Sequence, residues 1–417
     1  MRIVPLTDSA ARRFLDRRRT AGPSAERVAA RIIADVRRRG DRALFAWAKR
    51  LDGVRLTPRT LWIPREEIAA AREKVPRELL QAIEHAARNV RRVAEKQLPR
   101  PWSFLVEPGV RVGQRFAPLD TIGCYIPGGR HSLVSTLLMT AVPARVAGVA
   151  RIVVVCPRPN AALLAAADLL GLNEMAHCGG AQAIAALAYG TKSVPRVEKI
   201  FGPGNRYVTA AKQLVSYECA IDLPAGPTEV LVLATRGNAR FIAADLIAQA
   251  EHDPDARAVL VTTSRQLARA VEAEVTTQLR RLPSENPAAR ALARNGAILL
   301  AGNIAAAIDF ANRFAPEHIS VAGGDRAVVD GLCAAGSIFV GPWSAQPIGD
   351  YASGSNHVLP TGGWARVRGG LTVSDFMRSF SVQEISRRGL KSLVPVVRAL
   401  AEAEGLEAHA RAVEVRK

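Results

Sequence analysis

The sequence has few of the features that mark secreted, zinc-finger or membrane proteins. Its five cysteines are scattered and form no C-x-x-C pair, which argues against a disulfide framework and a zinc finger. No run approaches the ~18 uninterrupted apolar residues of a transmembrane helix, and the first residues lack the long apolar segment of a signal peptide. These absences predict a cytoplasmic protein with no membrane partner.

Aromatic residues are also scarce, at 5% of 417 residues, and only eight of the 57 cationic residues are lysines. With 38 acidic residues the formal net charge is +19, a value typical of polyanion-binding proteins. However, the early arginines, including Arg17, Arg18 and Arg19, are not interleaved with aromatic rings that could stack on bases. Between Arg27 and Trp47, apolar residues recur at helical spacing with arginines between them. A solvated helix face is therefore favoured, nucleic-acid binding is the weaker alternative, and no specific nucleic-acid partner is expected.

The pattern of apolar residues along the chain changes near residue 103. Residues 8–99 are typical of helices broken by Gly22-Pro23, Gly40 and Pro76. Beyond them, short apolar runs alternate with Ala/Leu-rich helices, as where 151–156 precedes 161–170; this pattern predicts an α/β protein with a mostly parallel sheet. The apolar runs are too numerous for one small sheet, so two α/β units are expected. The tail from residue 382 onward is predicted to be helical.

Three glycine-rich turns could bring backbone N–H groups close to a phosphate or to another backbone segment. They occupy residues 123–129, 202–205 and 225–228. None matches G-x-G-x-x-G followed by an acid about twenty residues later, so the common dinucleotide fingerprint is absent. Each turn, taken singly, is explained equally well as a tight turn of an α/β fold.

Candidate metal ligands lie in the second half of the chain. Gln249 and His252 stand at i and i+3 near the end of a predicted helix, and therefore share one face. Because glutamine is an unusual metal ligand, a hydrogen bond at the helix end is the better explanation of this pair taken alone. Asp350 and His357 lie seven residues apart in a Gly/Ser-rich loop, and loops often carry functional residues. Together these side chains offer enough donors for one metal site.

Candidate acid/base residues are found in the same half. Glu317 and His318 are adjacent and precede a predicted strand. Because imidazole titrates near neutrality, a histidine beside a carboxylate is a plausible proton-transfer site, although a surface pair is an alternative. His409 follows Glu404 by five residues in the last predicted helix, where a solvent-exposed histidine is the simpler interpretation.

These segments, taken in order, resemble the histidinol dehydrogenase family. An ordered series of motifs is far more specific than any single one, and it spans residues from about 105 to 412. The matching segments are 123–129, 140–148, 179–190, 201–205, 249–252, 315–318, 349–361 and 404–409.

The resemblance implies a zinc- and NAD-dependent four-electron oxidation of L-histidinol, through L-histidinaldehyde, to L-histidine, the last steps of histidine biosynthesis. His318 would act as general base toward the alcohol, and Glu317 would activate the water that adds to the aldehyde. One zinc ion per subunit would be held by Gln249, His252, Asp350 and His409. NAD would be contacted by Tyr125, Gln182 and Asn205. The substrate would be contacted by Ser135, Thr228, Gln249, His252, His318, Asp350, His357, Glu404 and His409.

The family fold implies α/β architecture with two incomplete Rossmann-like units and small helical N- and C-terminal segments. The expected divisions are an N-terminal segment of residues 1–20, a discontinuous first unit of residues 21–124 plus 229–372 carrying the metal and catalytic residues, a second unit of residues 125–228 on the NAD side, and a C-terminal segment of residues 373–417. That last segment would reach the partner's active site in a homodimer, so that His409 is supplied across the interface.

Two residues depart from the family pattern. Thr228 stands where the family usually has serine, so the hydroxyl is kept and a methyl group narrows the pocket. Arg130 follows the double glycine, where small residues are common. Both features also occur in related enzymes that oxidise sulfonated diols, so a paralogous NAD-dependent dehydrogenase of another alcohol is the alternative. The segments 350–354 and 381–386 favour the histidinol enzyme.

Overall fold

The computed structural model describes residues 1–16, 23–128, 133–224 and 226–416. The arginines at positions 17–19, part of the expected N-terminal segment, and Arg130 lie outside the described residues, as do Gly129 and Ala225 of two predicted turns.

The described strands fall into three sheets. Their bounds are β1 Arg2–Pro5, β2 Trp102–Glu107, β3 Val110–Pro118, β4 Thr121–Tyr125, β5 Arg151–Val155, β6 Met175–Ala176, β7 Lys199–Phe201, β8 Ala220–Ile221, β9 Glu229–Leu233, β10 Arg257–Thr262, β11 Ala297–Leu300, β12 His318–Val321, β13 Ser337–Val340 and β14 Met377–Ile385.

The described helices surround these sheets, and none of them is long and apolar enough to cross a bilayer. Their bounds are α1 Asp8–Asp16, α2 Pro23–Arg39, α3 Asp41–Trp47, α4 Arg65–Ala70, α5 Arg77–Gln97, α6 Val134–Ala147, α7 Ala161–Leu169, α8 Gly180–Tyr189, α9 Arg206–Val215, α10 Ala239–Ala250, α11 Arg265–Leu279, α12 Ala288–Asn295, α13 Ile304–Phe314, α14 Arg326–Asp330, α15 Gln346–Tyr351, α16 Arg387–Ala403 and α17 Glu407–Glu414.

Both large sheets are parallel and share one strand order. The five-stranded sheet runs β6-β5-β4-β7-β8 and the six-stranded sheet β1-β11-β10-β9-β12-β13. Numbered within each unit and leaving β1 aside, both read 3-2-1-4-5, which is the dinucleotide-binding order without its sixth strand. The prediction of two incomplete Rossmann-like units is therefore confirmed. The short strand β1, which was not predicted, pairs at the outer edge of the second sheet.

The N-terminal helices pack on the five-stranded unit. α2 buries Ile32, Ile33 and Val36 in the same core as α8 and α9, and β4 is the central strand of this sheet. The expected division instead grouped residues 21–124 with 229–372. The packing differs from this expected division because the apolar stripe of α2 is complementary to the surface of the five-stranded unit. Val28, an apolar residue of the predicted stripe, is 44% exposed.

The prediction of a helical tail from residue 382 is wrong for its first residues. Residues 382–385 belong to β14, which pairs antiparallel with β3, while β3 pairs on its other side with β2. Strand pairing across more than 250 residues overrides any local preference of this short segment. The helical tail begins after Ser386, whose hydroxyl accepts a hydrogen bond from the backbone N–H of Gly389 and caps α16.

Two substitutions on α2 test its packing. Replacing Ile32, 2% exposed, by alanine is expected to lower the free energy of unfolding by about 2–5 kcal/mol, because it leaves a cavity in the core. Replacing Val28, one turn earlier, by alanine is expected to change it by about 0.5 kcal/mol or less. Urea denaturation measures both, and equal effects of the two changes would contradict this orientation of the helix.

Candidate active site

A cavity of about 210 Å³, hereafter the central cavity, is lined by both α/β units. The five-stranded unit contributes residues that follow the carboxyl ends of its strands, among them Ser135 after β4, Gly202 after β7 and Leu223 after β8. The six-stranded unit contributes residues at the amino ends of its strands, among them Thr228 before β9 and His318 at the start of β12. The cavity therefore joins opposite edges of the two sheets.

Local chain geometry explains how the remaining side chains reach the cavity. α10 follows β9 and runs back along the sheet, so its last turn returns to the amino edge and carries Gln249 there. His252 lies just beyond that helix. α15 supplies Asp350, and the loop after it supplies His357. The structure thus brings together, in one cavity, the following predicted residues: Ser135, Thr228, Gln249, His252, Glu317, His318, Asp350 and His357.

The carboxylate of Glu317 is held by a short chain of hydrogen bonds. The Thr228 hydroxyl donates to Glu317 Oε2 and accepts from Gln249 Nε2. The backbone N–H of Glu229 donates to the same carboxylate oxygen at 2.9 Å. Burial raises the pKa of Glu317, and the neighbouring His318 together with these donors opposes the rise only in part. Its lone pairs are fixed in direction, and its affinity for a proton is enhanced.

The tautomer of His318 follows from its contacts. Its Nδ1 lies 3.2 Å from the backbone oxygen of Glu229. A carbonyl can only accept, so Nδ1 carries the hydrogen and the Nε2 lone pair is available in the neutral ring. Nε2 lies 3.7 Å from Asp350 Oδ1. Burial works to lower the pKa of His318, but the charges of Glu317 and Asp350 outweigh it and the net shift is upward. Nε2 is therefore the atom equipped to accept a proton.

Asp350 is oriented from three directions. The Gln346 amide donates to its Oδ2, His357 Nδ1 donates to its backbone oxygen at 3.0 Å, and His252 Nε2 lies 4.0 Å from Oδ2. Burial works to raise the pKa of Asp350, but the hydrogen bond and charge of His318 outweigh it, so the pKa is lowered. The carboxylate is therefore ionised and fixed within a partly buried cavity.

The donor set fits a metal ion. Gln249 Oε1 is buried and has no hydrogen-bond partner among the described residues, a rare condition that a cation would relieve. His252 Nε2 and Asp350 Oδ2 are 4.0 Å apart, somewhat more than the ~3.4 Å between two ligands of a tetrahedral zinc ion, so a small movement of the exposed His252 ring would bring both onto one ion. Within the described chain no group of three His, Cys, Asp or Glu side chains forms a metal site, and one of the three donors here is an amide.

Glu404 and His409 do not join this cluster. Both are exposed, Glu404 at the end of α16 and His409 in α17, and neither lines the central cavity as the structure describes it. A single chain thus assembles three of the four predicted metal ligands.

The predicted NAD residues lie at the carboxyl edge of the five-stranded sheet, where the strand order reverses and nucleotides bind in such folds. Tyr125 ends β4, and its hydroxyl oxygen accepts from the Gly180 N–H at 3.2 Å. Gln182 is buried in α8, and its Nε2 donates to Asp52 Oδ2 at 2.9 Å. Asn205 is exposed and caps α9. The three residues share this edge but stand outside the central cavity lining.

Other residues that shape the site were not predicted from the sequence. Lys212 and Asp222 form an ion pair, 2% and 1% exposed, and both bind the backbone of Gly202. A lysine on the apolar face of α9, in line with Val208 and Val215, is the signal that could have revealed the pair. Asp52 carried no comparable signal, because its partner Gln182 is distant in sequence. Gln346 lies four residues before its partner Asp350 but was not singled out.

Fold and site together define an α/β enzyme whose histidine–carboxylate centre lies between two Rossmann-like units. The chain belongs to the histidinol dehydrogenase family, whose model matches residues 15–417, and the resemblance of the motifs is thereby confirmed. A histidinol dehydrogenase of Methanosarcina mazei is 46% identical over 394 residues, which cover 92% of this chain and 90% of that protein. One of Halalkalibacterium halodurans is 44% identical and covers 100% of this chain and 99% of its own.

A solved structure gives the same result. The histidinol dehydrogenase of Elizabethkingia anophelis superposes with a TM-score of 0.95 at 37% identity, covering 100% of this chain and 98% of that one. The fold of the whole described chain is therefore that of the family.

The hydrogen-bond chain through Thr228 yields a stability prediction. Thr228→Val keeps the shape of the side chain but removes the hydroxyl that partners both Glu317 and Gln249. A loss of about 1–3 kcal/mol in the free energy of unfolding is expected, because two buried polar groups lose a partner. Thr228→Ser retains the hydroxyl and should stay within about 1 kcal/mol of the wild type. Urea denaturation at neutral pH measures the two variants, and similar stabilities would contradict the hydrogen-bond chain.

Proposed function

We propose that this protein oxidises L-histidinol, through L-histidinaldehyde, to L-histidine, with two NAD consumed per substrate and one zinc ion per subunit. The observation that carries the proposal is the convergence of His318 Nε2, the Glu317 carboxylate and three metal donors in one cavity of a chain from this family.

Gln249, His252 and Asp350 would hold the zinc ion. When bound, zinc supplies a Lewis acid that can orient the imidazole and amine of the substrate. Gln346 keeps Asp350 aimed at that position, since its amide donates to the carboxylate. Ser135 and His357 line the cavity beside this group, and they are the proposed further contacts to the substrate.

His318 is the proposed general base. With Nδ1–H directed to the Glu229 carbonyl, Nε2 takes the hydroxyl proton of the alcohol as hydride leaves the carbon. Asp350 and Glu317 stabilise the imidazolium that forms, since each places a carboxylate oxygen 3.7 Å from the ring.

Glu317 is the proposed activator of the water that adds to the aldehyde. Thr228 and Glu229 both bind its Oε2, which keeps the carboxylate in place and leaves Oε1 for the water. A carboxylate with a raised pKa is the better proton acceptor. The hydrated aldehyde then loses its second hydride to give the acid.

Tyr125, Gln182 and Asn205 would hold NAD, which supplies the hydride acceptor. They lie at the edge where the two halves of the sheet diverge, next to the Gly202 turn that also lines the central cavity. The buried Lys212–Asp222 pair fixes that turn through the Gly202 N–H and C=O.

A homodimer with shared sites would explain the position of His409 and Glu404. Apolar side chains are exposed on the three-stranded sheet and on the C-terminal helices: Trp102 49%, Phe104 55%, Leu105 55%, Phe380 47% and Leu400 61%. Such a surface is typical of an interface. In the dimer, α17 of one protomer would bring His409 to the metal of its partner. None of the five cysteines forms a disulfide and four of them are buried, which is compatible with the proposed cytoplasmic location.

A related dehydrogenase acting on another alcohol, such as a sulfonated diol, is the second candidate. The observation in its favour is Thr228, whose extra methyl group lies in the central cavity lining. A panel of histidinol and sulfonated diols distinguishes the two. Turnover of histidinol with two NADH per substrate supports the first, and one NADH per turnover or inactivity with histidinol contradicts it.

Site variants separate proton transfer from metal binding. His318→Gln is expected to lower kcat by about 10²–10⁴-fold while the zinc content measured by atomic emission stays unchanged. In His252→Ala the primary defect should be the loss of zinc. A chelator should abolish the activity of the wild type. His177→Gln, a half-buried histidine outside the cavity lining, is the matched control. Unchanged metal content in His252→Ala would refute the ligand assignment.

Mixing subunits tests the shared site. His318→Gln and His409→Ala homodimers should each be almost inactive. Co-expression should restore about a quarter of wild-type activity, because random mixing makes half the dimers mixed and each has one site with both native residues. If both residues acted within the same chain, mixing would restore nothing.

A further inference from the structure

Asp52 is an acidic side chain at the nucleotide edge that the proposed reaction does not use. It ends a π-helical turn, Ala48–Asp52, and Gly53 follows it in the left-handed conformation with φ 70°. Its Oδ2 accepts from Gln182 Nε2 at 2.9 Å, and its backbone oxygen accepts from Arg158 Nη2 at 2.5 Å. A residue of the N-terminal helices is thus fixed between two residues of the five-stranded unit.

Arg158 occupies a position with a known role in dinucleotide-binding folds. It follows β5, the second strand in the 3-2-1-4-5 order. After this strand an acid typically binds the 2′-hydroxyl of the adenosine ribose of NAD, whereas an arginine accommodates the 2′-phosphate of NADP. This chain has arginine there, so the end of β5, taken alone, resembles that of an NADP-binding protein. Asp52 supplies the acid from a different part of the sequence.

The edge is closely packed and contains an acceptor in need of a donor. A Cβ atom on Gly128 or Gly179 would lie 2.5 or 2.6 Å from the ring of Pro157, so the two backbones enclose that proline. Gln182 is fully buried, and its Oε1 has no hydrogen-bond partner among the described residues. A hydroxyl group of a bound ribose is a donor of the required kind.

We propose that Asp52 makes this edge select NAD over NADP: its carboxylate accepts the 2′-hydroxyl of the adenosine ribose, offsets the charge of Arg158 and repels a 2′-phosphate. The inference rests on the proposed use of NAD at this edge. It predicts that removing the negative charge of Asp52 while keeping the shape of the side chain raises the affinity for NADP relative to that for NAD.

Asp52→Asn is the direct test, because asparagine retains an oxygen that can accept from Gln182. Dissociation constants of NAD and NADP are measured by titration calorimetry on the full-length protein without substrate. The ratio of the NADP to the NAD dissociation constant should fall at least about tenfold, equivalent to about 1.4 kcal/mol. Adding Arg158→Ala to Asp52→Asn should remove the gain in NADP affinity.

Asp168→Asn is the matched control, since Asp168 pairs with Arg72 in the same unit and the substitution removes the same charge; its ratio should equal that of the wild type. A ratio within twofold of the wild type in Asp52→Asn overturns the proposal. If Asp52→Asn does not fold, Asp52→Ser gives the same comparison, and Arg158→Ala in the native background should weaken NADP selectively. A wild type that binds neither dinucleotide would instead refute the proposed function.

Discussion

The parallel pairing of β9 with β12 is the constraint on which the site depends. Its register sets His318 opposite Val230, so that Glu317 and Thr228, each just outside its strand, come within hydrogen-bonding distance. Because side chains alternate between the faces of a strand, a shift of one residue would turn His318 away from the cavity. The same register places the Glu229 carbonyl at His318 Nδ1 and the Glu229 N–H at Glu317. The geometry of these side chains is thus specified by backbone pairing in a sheet whose strands β9 and β12 are buried.

The electrostatics of the central cavity favour the proposed binding of a cation. Glu317 and Asp350 place two carboxylates around one imidazole, and all three groups are buried. A buried negative excess is costly unless it is paired. Hydrogen bonds from the Thr228 hydroxyl, the Gln346 amide and the Glu229 N–H stabilise part of this charge. The Gln249 oxygen, which has no hydrogen-bond partner in the part of the chain that the structure describes, adds one more acceptor to the site. A divalent cation would offset the negative charge and also bind the Gln249 oxygen, whereas protonation of His318 would only offset the charge.

The sequence allows the local elements to be predicted better than their arrangement. The predicted apolar run 151–156 and the helix 161–170 match β5 and α7 to within one residue, because a buried parallel strand is a short continuous apolar run. β1 and β14 were missed, since each is held by partners more than 250 residues away. At the site, motif order identified the cavity residues, whereas Gln346, Asp52 and the Lys212–Asp222 pair were not found. Asp52 contacts Gln182, which is 130 residues away, and spacing along the chain does not encode such a contact. The partners of Gln346 and Lys212 are near in sequence, but sequence spacing alone does not show that these pairs form. The place of α2 on the five-stranded unit depends likewise on a complementary surface.

The two sheets divide the chemistry between them. The five-stranded sheet presents its carboxyl edge, where parallel α/β folds bind nucleotides. The six-stranded sheet presents its amino edge, where backbone polar groups of β9 orient Glu317 and His318. Residues from both edges line one cavity. The Gly202 turn lies at their junction, and a buried lysine with its counter-ion holds it through both backbone groups. A surface ion pair would contribute little, but removing one member of this buried pair would leave a charge without compensation. A turn in the lining of the central cavity is therefore fixed by a buried ion pair.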